Sequence, residues 1–161
     1  MRALNMLLDT AHLAEASFWD ALNMWDGVTA YTHGTLRHFL PTQRALSDEQ
    51  IRALIEHDGV IGIGLYNGFY EQNLAYPPNI TIDDIVHAID YVCQIAGDCL
   101  HIAIGSDLDG GFGAELTPIG INTVADLQQI VTRLSEYGFS AEDINRITYE
   151  NWLRLLRQVI G

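Results

Sequence analysis

Four short apolar runs recur along the chain, in "MLLD", "VTAYTH", "VIGIGLYN" and "HIAIGSD", and segments of helical periodicity separate them. The runs are too short for buried helices, and β-branched or aromatic residues punctuate most of them, so they read as strands. Between them, "EASFWDALNMW" places Phe18, Leu22 and Trp25 at helical spacing. "SDEQIRALIEHDG" offers Ser47 as N-cap with Gln50 three residues on, the apolar set Ile51, Leu54 and Ile55, and Gly59 as its stop. Thr81 caps "IDDIVHAIDYVCQIAG", and "TVADLQQIVTRLSEYG" and "SAEDINRITYENWLRLLRQVIG" close the chain as further helices. Loops run through Pro41 and through Pro77 and Pro78. The order is therefore βαβαβαβα with a helical tail.

Such alternation implies an α/β fold of parallel βα repeats, with the helices as crossovers. The strands are apolar throughout rather than alternating, as expected when both faces of a sheet are covered. A doubly wound open sheet, a flavodoxin-like sandwich and part of a (β/α)8 barrel all satisfy this pattern. The 161 residues suffice for one domain, 1–161, with no internal repeat beyond the βα rhythm.

Charge narrows the function classes. A net charge of -13 argues against nucleic acid and against a polybasic membrane contact, both of which need clustered Lys and Arg. No window is apolar for long enough to span a bilayer. The opening "MRALNMLLDTAH" lacks the long apolar core of a signal peptide. Cys93 and Cys99 are then expected to be reduced thiols in a cytoplasmic protein, with no CxxC chemistry.

Each apolar run finishes on polar groups: Asp9 and His12, Thr32 and His33, Tyr66 and Asn67, Ser106 and Asp107. Parallel βα architectures gather ligands at the carboxyl ends of their strands, so residues scattered along the chain are expected at one rim. Two neutral imidazoles with a carboxylate suit a catalytic zinc that keeps a position open for water. No HExxH helix or paired CxxC is present, so any metal must be assembled by the tertiary fold. "GSDLDGG" lacks the spacing of a calcium loop, and neither it nor "IGIG" is a nucleotide fingerprint. His38, His57 and His87 read as surface residues, and His101 opens a strand at the wrong end.

"MLLDTAH", "AYTHGTLR", "RALSDEQI", "GVIGIGLYN", "HIAIGSDLDG" and the terminal "NWLRLL", taken in order, resemble the C-terminal part of the membrane (renal) dipeptidase family of zinc peptidases. The resemblance runs through nearly the whole chain. It implies the C-terminal half of a TIM (β/α)8 metal-dependent hydrolase barrel, about four βα units plus terminal helices. It further implies a two-zinc site bridged by a Glu, of which at most one set of ligands, His12 and His33, lies in this chain. Asp107 takes the position of the family's catalytic acid/base, and Arg44 that of the residue holding the substrate carboxylate. Tyr66 and Asn67 match a strand-end pair near the substrate. Two departures stand out: "THG" replaces the usual S-H-S, and Ala45 stands where Asn is common. The family's H-x-D pair and bridging Glu have no counterpart in Met1 to Thr10.

Two functions follow from this reading. One is zinc-dependent hydrolysis of dipeptides or similar small amides, by a fragment lacking the N-terminal metal ligands. The other is a catalytically silent half-barrel that serves as an interaction or assembly module. Either implies a partner, whether a second copy of the chain or a missing N-terminal half, because half a barrel leaves two strand edges unpaired and a core face open to water.

Overall fold

The computed structural model describes residues 2–71 and 79–161. The loop expected at Pro77 and Pro78 lies outside the described residues. Strands β1 (Leu8–Asp9), β2 (Thr29–Tyr31), β3 (Val60–Ile63) and β4 (Ile102–Ile104) form one sheet in the order β1-β2-β3-β4, parallel throughout. Helices α1 (Glu15–Met24), α2 (Asp48–Glu56) and α3 (Ile82–Ala96) are the crossovers, and α4 (Gln128–Tyr137), α5 (Ala141–Asn145) and α6 (Asn151–Ile160) follow β4. The expected α/β order of four βα units with a helical tail is what the chain adopts.

Local chemistry sets the helix ends. At α2, the Gln50 N–H bonds the Ser47 hydroxyl at 3.3 Å, and the Ser47 N–H returns to the Gln50 side chain at 2.9 Å. Thr81 and Asp84 form the same reciprocal cap on α3. The stop expected at Gly59 falls earlier: α2 ends at Glu56, and Asp58 takes the left-handed conformation at φ 52°. Asp reaches that region at modest cost because its short polar side chain bonds locally. The tail is nearly continuous, because α5 passes through a π-turn at Arg146–Glu150 directly into α6.

The expectation of reduced thiols is overturned. Cys93 and Cys99 are joined as a disulfide, and no free cysteine remains. After α3, Gly97 turns left-handed at φ 81° and doubles the chain back, so the two Cα atoms lie 4.9 Å apart, within disulfide reach.

The main core lies between the sheet and its crossovers, where Tyr31, Ile61, Ile63 and Ile102 meet Phe18, Leu22, Leu54, Ile89 and Ile130. The alternate strand residues Ala30, Val60 and Ala103 face the other way, and a smaller cluster covers them with Leu155 and Trp152 of α6. That sheet face is therefore not simply open to water, as expected from four strands alone: α6 covers part of it. The Trp152 indole N–H donates to the Ile104 carbonyl at 2.9 Å and fixes the helix there. Small residues allow a close backbone approach at this face. A Cβ on either Gly62 or Gly105 would overlap the Thr32 carbonyl oxygen, so only glycine permits the close approach. Gly62→Ala is expected to destabilise the chain by about 1–3 kcal/mol, because neither backbone can yield without breaking the ladder. A urea midpoint unchanged by this substitution would refute the account.

Candidate functional site

All four parallel strands point their carboxyl ends to one side of the sheet, and the candidate residues gather there. His12 follows β1 at φ 65°, and Asp107 follows β4 at φ 54°, both in the left-handed region. Positions of this kind cost stability and cluster at sites where side-chain direction matters. The Nε2 atoms of His12 and His33 face each other at 2.7 Å, with ring centroids 4.6 Å apart. Asp107 Oδ2 lies 4.0 Å from His33 Nε2. Arg44 reaches in from the loop after β2, and its guanidinium lies 2.7 Å from His12 Nδ1. That loop is braced by Arg37, which bonds the Thr42 and Ala45 carbonyls and pairs with Glu15 of α1 at 3.0 Å.

Hydrogen-bond directions within the cluster follow from donor chemistry. Guanidinium nitrogens only donate, so His12 Nδ1 accepts from Arg44 and the His12 proton sits on Nε2. That N–H then donates to His33 Nε2, whose lone pair must face it. Both rings are neutral in this arrangement. Partial desolvation, then His33 and Arg44 beside it, holds the His12 pKa below its ordinary value, which favours the same state. For His12 to offer Nε2 to a cation, its proton must move to Nδ1, and Arg44 must leave that atom. Two imidazoles are a donor pair that zinc accepts. They are part of a ligand set only: among the described residues, no group of three or more His, Cys, Asp or Glu could hold a metal ion.

A cavity of 510 Å³ opens beside the cluster, lined by His12, Arg44, Asp107, Tyr31, Tyr66 and Phe112 among others. Its size suits a small ligand. Tyr66 reaches it and packs against Phe69 and Phe112, with ring centroids 5.3 and 4.9 Å away. Asn67 does not line it. That side chain is 2% exposed, and its amide donates to the Thr117 carbonyl at 3.0 Å, bracing the loop after β4. Its place beside Tyr66 gave no hint of this, because a turn after β3 sends the two side chains apart. Tyr31 and Phe112 also went unassigned in the sequence. The glycines flanking Phe112 in "GGFG" were the available signal for an aromatic carried on a loop at the pocket mouth. His38, His57 and His87 are exposed and lie outside the cavity lining, and His101 bonds the Gly59 carbonyl at the other end of the sheet.

A parallel βα sheet with imidazoles, a carboxylate and a guanidinium at the carboxyl ends of its strands is the arrangement of a βα protein with its functional groups on the loop face, as in βα barrels. The model of the membrane dipeptidase family (peptidase family M19) matches residues 1–160, and the chain belongs to that family. An uncharacterized protein encoded in the pqqA 5' region of Klebsiella pneumoniae is 31% identical over 99% of this chain and 57% of its own length. The dipeptidase aclJ of Aspergillus oryzae is 27% identical over 99% of this chain and 36% of its own. Among solved structures, the metallopeptidase named dipeptidase AC superposes with a TM-score of 0.88 at 25% identity, over 99% of this chain and 46% of that one. The chain thus spans about half the length of these relatives or less, and its fold is that of one part of the larger barrel.

Tyr31 links the pocket to the core, because its hydroxyl donates to the Arg44 carbonyl at 3.4 Å while its ring is buried. Burial pushes its phenol up to about 12. The native state therefore holds the Tyr31 proton after the unfolded chain, with a phenol near 10, has lost it. Tyr31's stabilisation is complete below about pH 10 and falls away by about 2–3 kcal/mol as the pH rises toward 12. Urea unfolding across this range is expected to show a shallower decline in Tyr31→Phe than in the wild type. Parallel declines in the two proteins would refute the assignment.

Proposed function

We propose that this chain carries the half-site of a zinc-dependent dipeptidase, with His12 and His33 as metal ligands. The observation that supports this reading is the approach of the two imidazole Nε2 atoms to 2.7 Å at the ends of neighbouring parallel strands. When bound, zinc lowers the pKa of a coordinated water and polarises the scissile carbonyl. Asp107, 4.0 Å from His33, would be the group that passes a proton between the attacking water and the leaving amine. Arg44 is the clamp for the substrate's terminal carboxylate, with a fork geometry that matches two oxygens. In the present arrangement it rests on His12 instead, so metal loading and release of Arg44 toward substrate go together. The aromatic wall of Tyr66 and Phe112 bounds the space left for a substrate side chain, while Asn67 acts on it only through the loop that it braces.

The donor set limits how far this chain acts by itself. Two imidazoles hold at most one zinc loosely, and a complete site needs ligands from a second copy or from an N-terminal half. A non-catalytic reading, in which the half-barrel serves as an assembly module, draws on the same fact, that no group of three or more ligating side chains is found among the described residues. No helix among the described residues is long and apolar enough to cross a membrane. The cytoplasmic expectation rests on the lack of a signal-peptide pattern, and the Cys93–Cys99 pairing runs against the reduced thiols expected in that setting.

Equilibrium dialysis against zinc is expected to load about one ion per chain, and His12→Ala or His33→Ala is expected to abolish uptake. Supplied with the complementary half, Asp107→Asn is expected to keep the metal and lose about 10²–10⁴-fold in kcat on dipeptides. Arg44→Ala is expected to raise KM chiefly. Absence of uptake by the wild-type chain, or uptake that survives loss of both imidazoles, would remove the reading.

A further inference from the structure

Asp9 and Thr32 have no part in the chemistry above, yet they make more bonds at the strand ends than any proposed ligand. Asp9 is the last residue of β1, and Thr32 directly follows β2. One carboxylate oxygen of Asp9 accepts from the backbone N–H of Ala11 at 3.0 Å and of Thr32 at 3.1 Å. The other accepts from the Thr32 hydroxyl at 2.7 Å. Thr32 Oγ1 also lies 2.9 Å from His33 Nδ1.

The direction of that last bond is fixed. An ionised carboxylate only accepts, so the single hydroxyl proton of Thr32 points at Asp9. Toward His33 the hydroxyl oxygen can then only accept, and the proton must be on Nδ1. The reverse tautomer would set two lone pairs against each other at 2.9 Å, or would strip Asp9 Oδ2 of its donor. His33 Nε2 is thereby left with its lone pair directed at His12 and the pocket mouth.

We propose that Asp9 and Thr32 are positioning residues, which hold the His33 ring with its proton on Nδ1 and its lone pair on Nε2 before any metal arrives. The inference rests on the reading of His33 as a ligand, and it extends that reading to two residues that touch neither metal nor substrate. Outer partners of this kind fix the tautomer and orientation of a ligating imidazole. The arrangement also separates the two histidines. His33 is preset for coordination, whereas His12 is held in the opposite tautomer by Arg44.

Long-range proton–nitrogen correlation on the metal-free chain, under mildly alkaline conditions, reads the tautomer directly once His33→Gln has identified the signal. The wild type is expected to show a protonated Nδ1 and a bare Nε2 at His33. In an Arg44→Ala background, where His12 no longer has to present its proton at Nε2, Thr32→Val, which keeps the shape and removes the hydroxyl, is expected to give a mixture of tautomers and to weaken zinc uptake about 10–100-fold. Thr32→Ser is expected to restore both, and Asp9→Asn to fall between. A wild-type His33 protonated on Nε2 overturns the proposal, whatever the variants do. So does an Arg44→Ala, Thr32→Val protein with the tautomer and zinc affinity of Arg44→Ala alone. A wild-type chain that takes up no zinc would instead remove the dipeptidase reading, and the tautomer measurement would still decide the role of Asp9 and Thr32.

Discussion

In the sheet, Leu8 is paired with Thr29, Ala30 with Val60, and Gly62 with Ala103, every pair running in the same direction. Parallel strands point their carboxyl ends to one side of the sheet, and the chain leaves each end into a loop on that side. That register brings His12, His33 and Asp107 together although 95 residues separate the first from the last (107 − 12). The register in turn depends on the inner face being small. Gly62 and Gly105 let the Thr32 carbonyl lie against the sheet, and Thr32 is the residue that anchors the His33 ring. A methyl group at either glycine would therefore move the imidazole as well as the strand.

At the site itself, electrostatics and hydrogen-bond direction agree. Arg44 beside His12 disfavours a charged ring and requires a lone pair at Nδ1, and both effects select the neutral imidazole. Asp9 acts on His33 in the opposite sense, through a hydroxyl that can only accept from the ring. The result is an ordered run of donors from Arg44 to Asp9, through both imidazoles and Thr32. A cation entering between the rings replaces the bond between them and breaks the link at Arg44, and it leaves the Asp9 end intact. A guanidinium freed at that moment is released at the mouth of the cavity.

Much of this was legible in the sequence because hydrophobic pattern and strand-end chemistry are local signals. The four apolar runs are the four strands, Ser47 and Thr81 are the caps, and the rule that strand ends converge placed His12, His33 and Asp107 together. The failures have physical causes of equal clarity. Asn67 adjoins Tyr66, but a single turn after β3 buries the one and leaves the other half-buried at the cavity, and adjacency carries no information about that. Asp58 rather than Gly59 takes the left-handed turn after α2, because aspartate also tolerates that region. The cysteines were read by compartment, whereas the turn at Gly97 decided their distance. Asp9 and Thr32 were visible as polar strand ends, but their role lies in the direction of bonds, which no spacing encodes.

On the proposed reading, the partial donor set and the unpaired sheet edges among the described strands are two aspects of one deficit. β1 and β4 each have a single neighbour among the described strands, so each presents one edge of backbone groups with no ladder. His12 leaves directly from the end of β1, at the open side of the sheet. A strand added to that edge in parallel would bring its own carboxyl end next to His12, the imidazole whose present partner is a guanidinium rather than a carboxylate. Pairing the edge and completing the ligand set would therefore be the same event. In that case zinc uptake and strand addition should strengthen each other, since whatever binds the joined form preferentially also stabilises it.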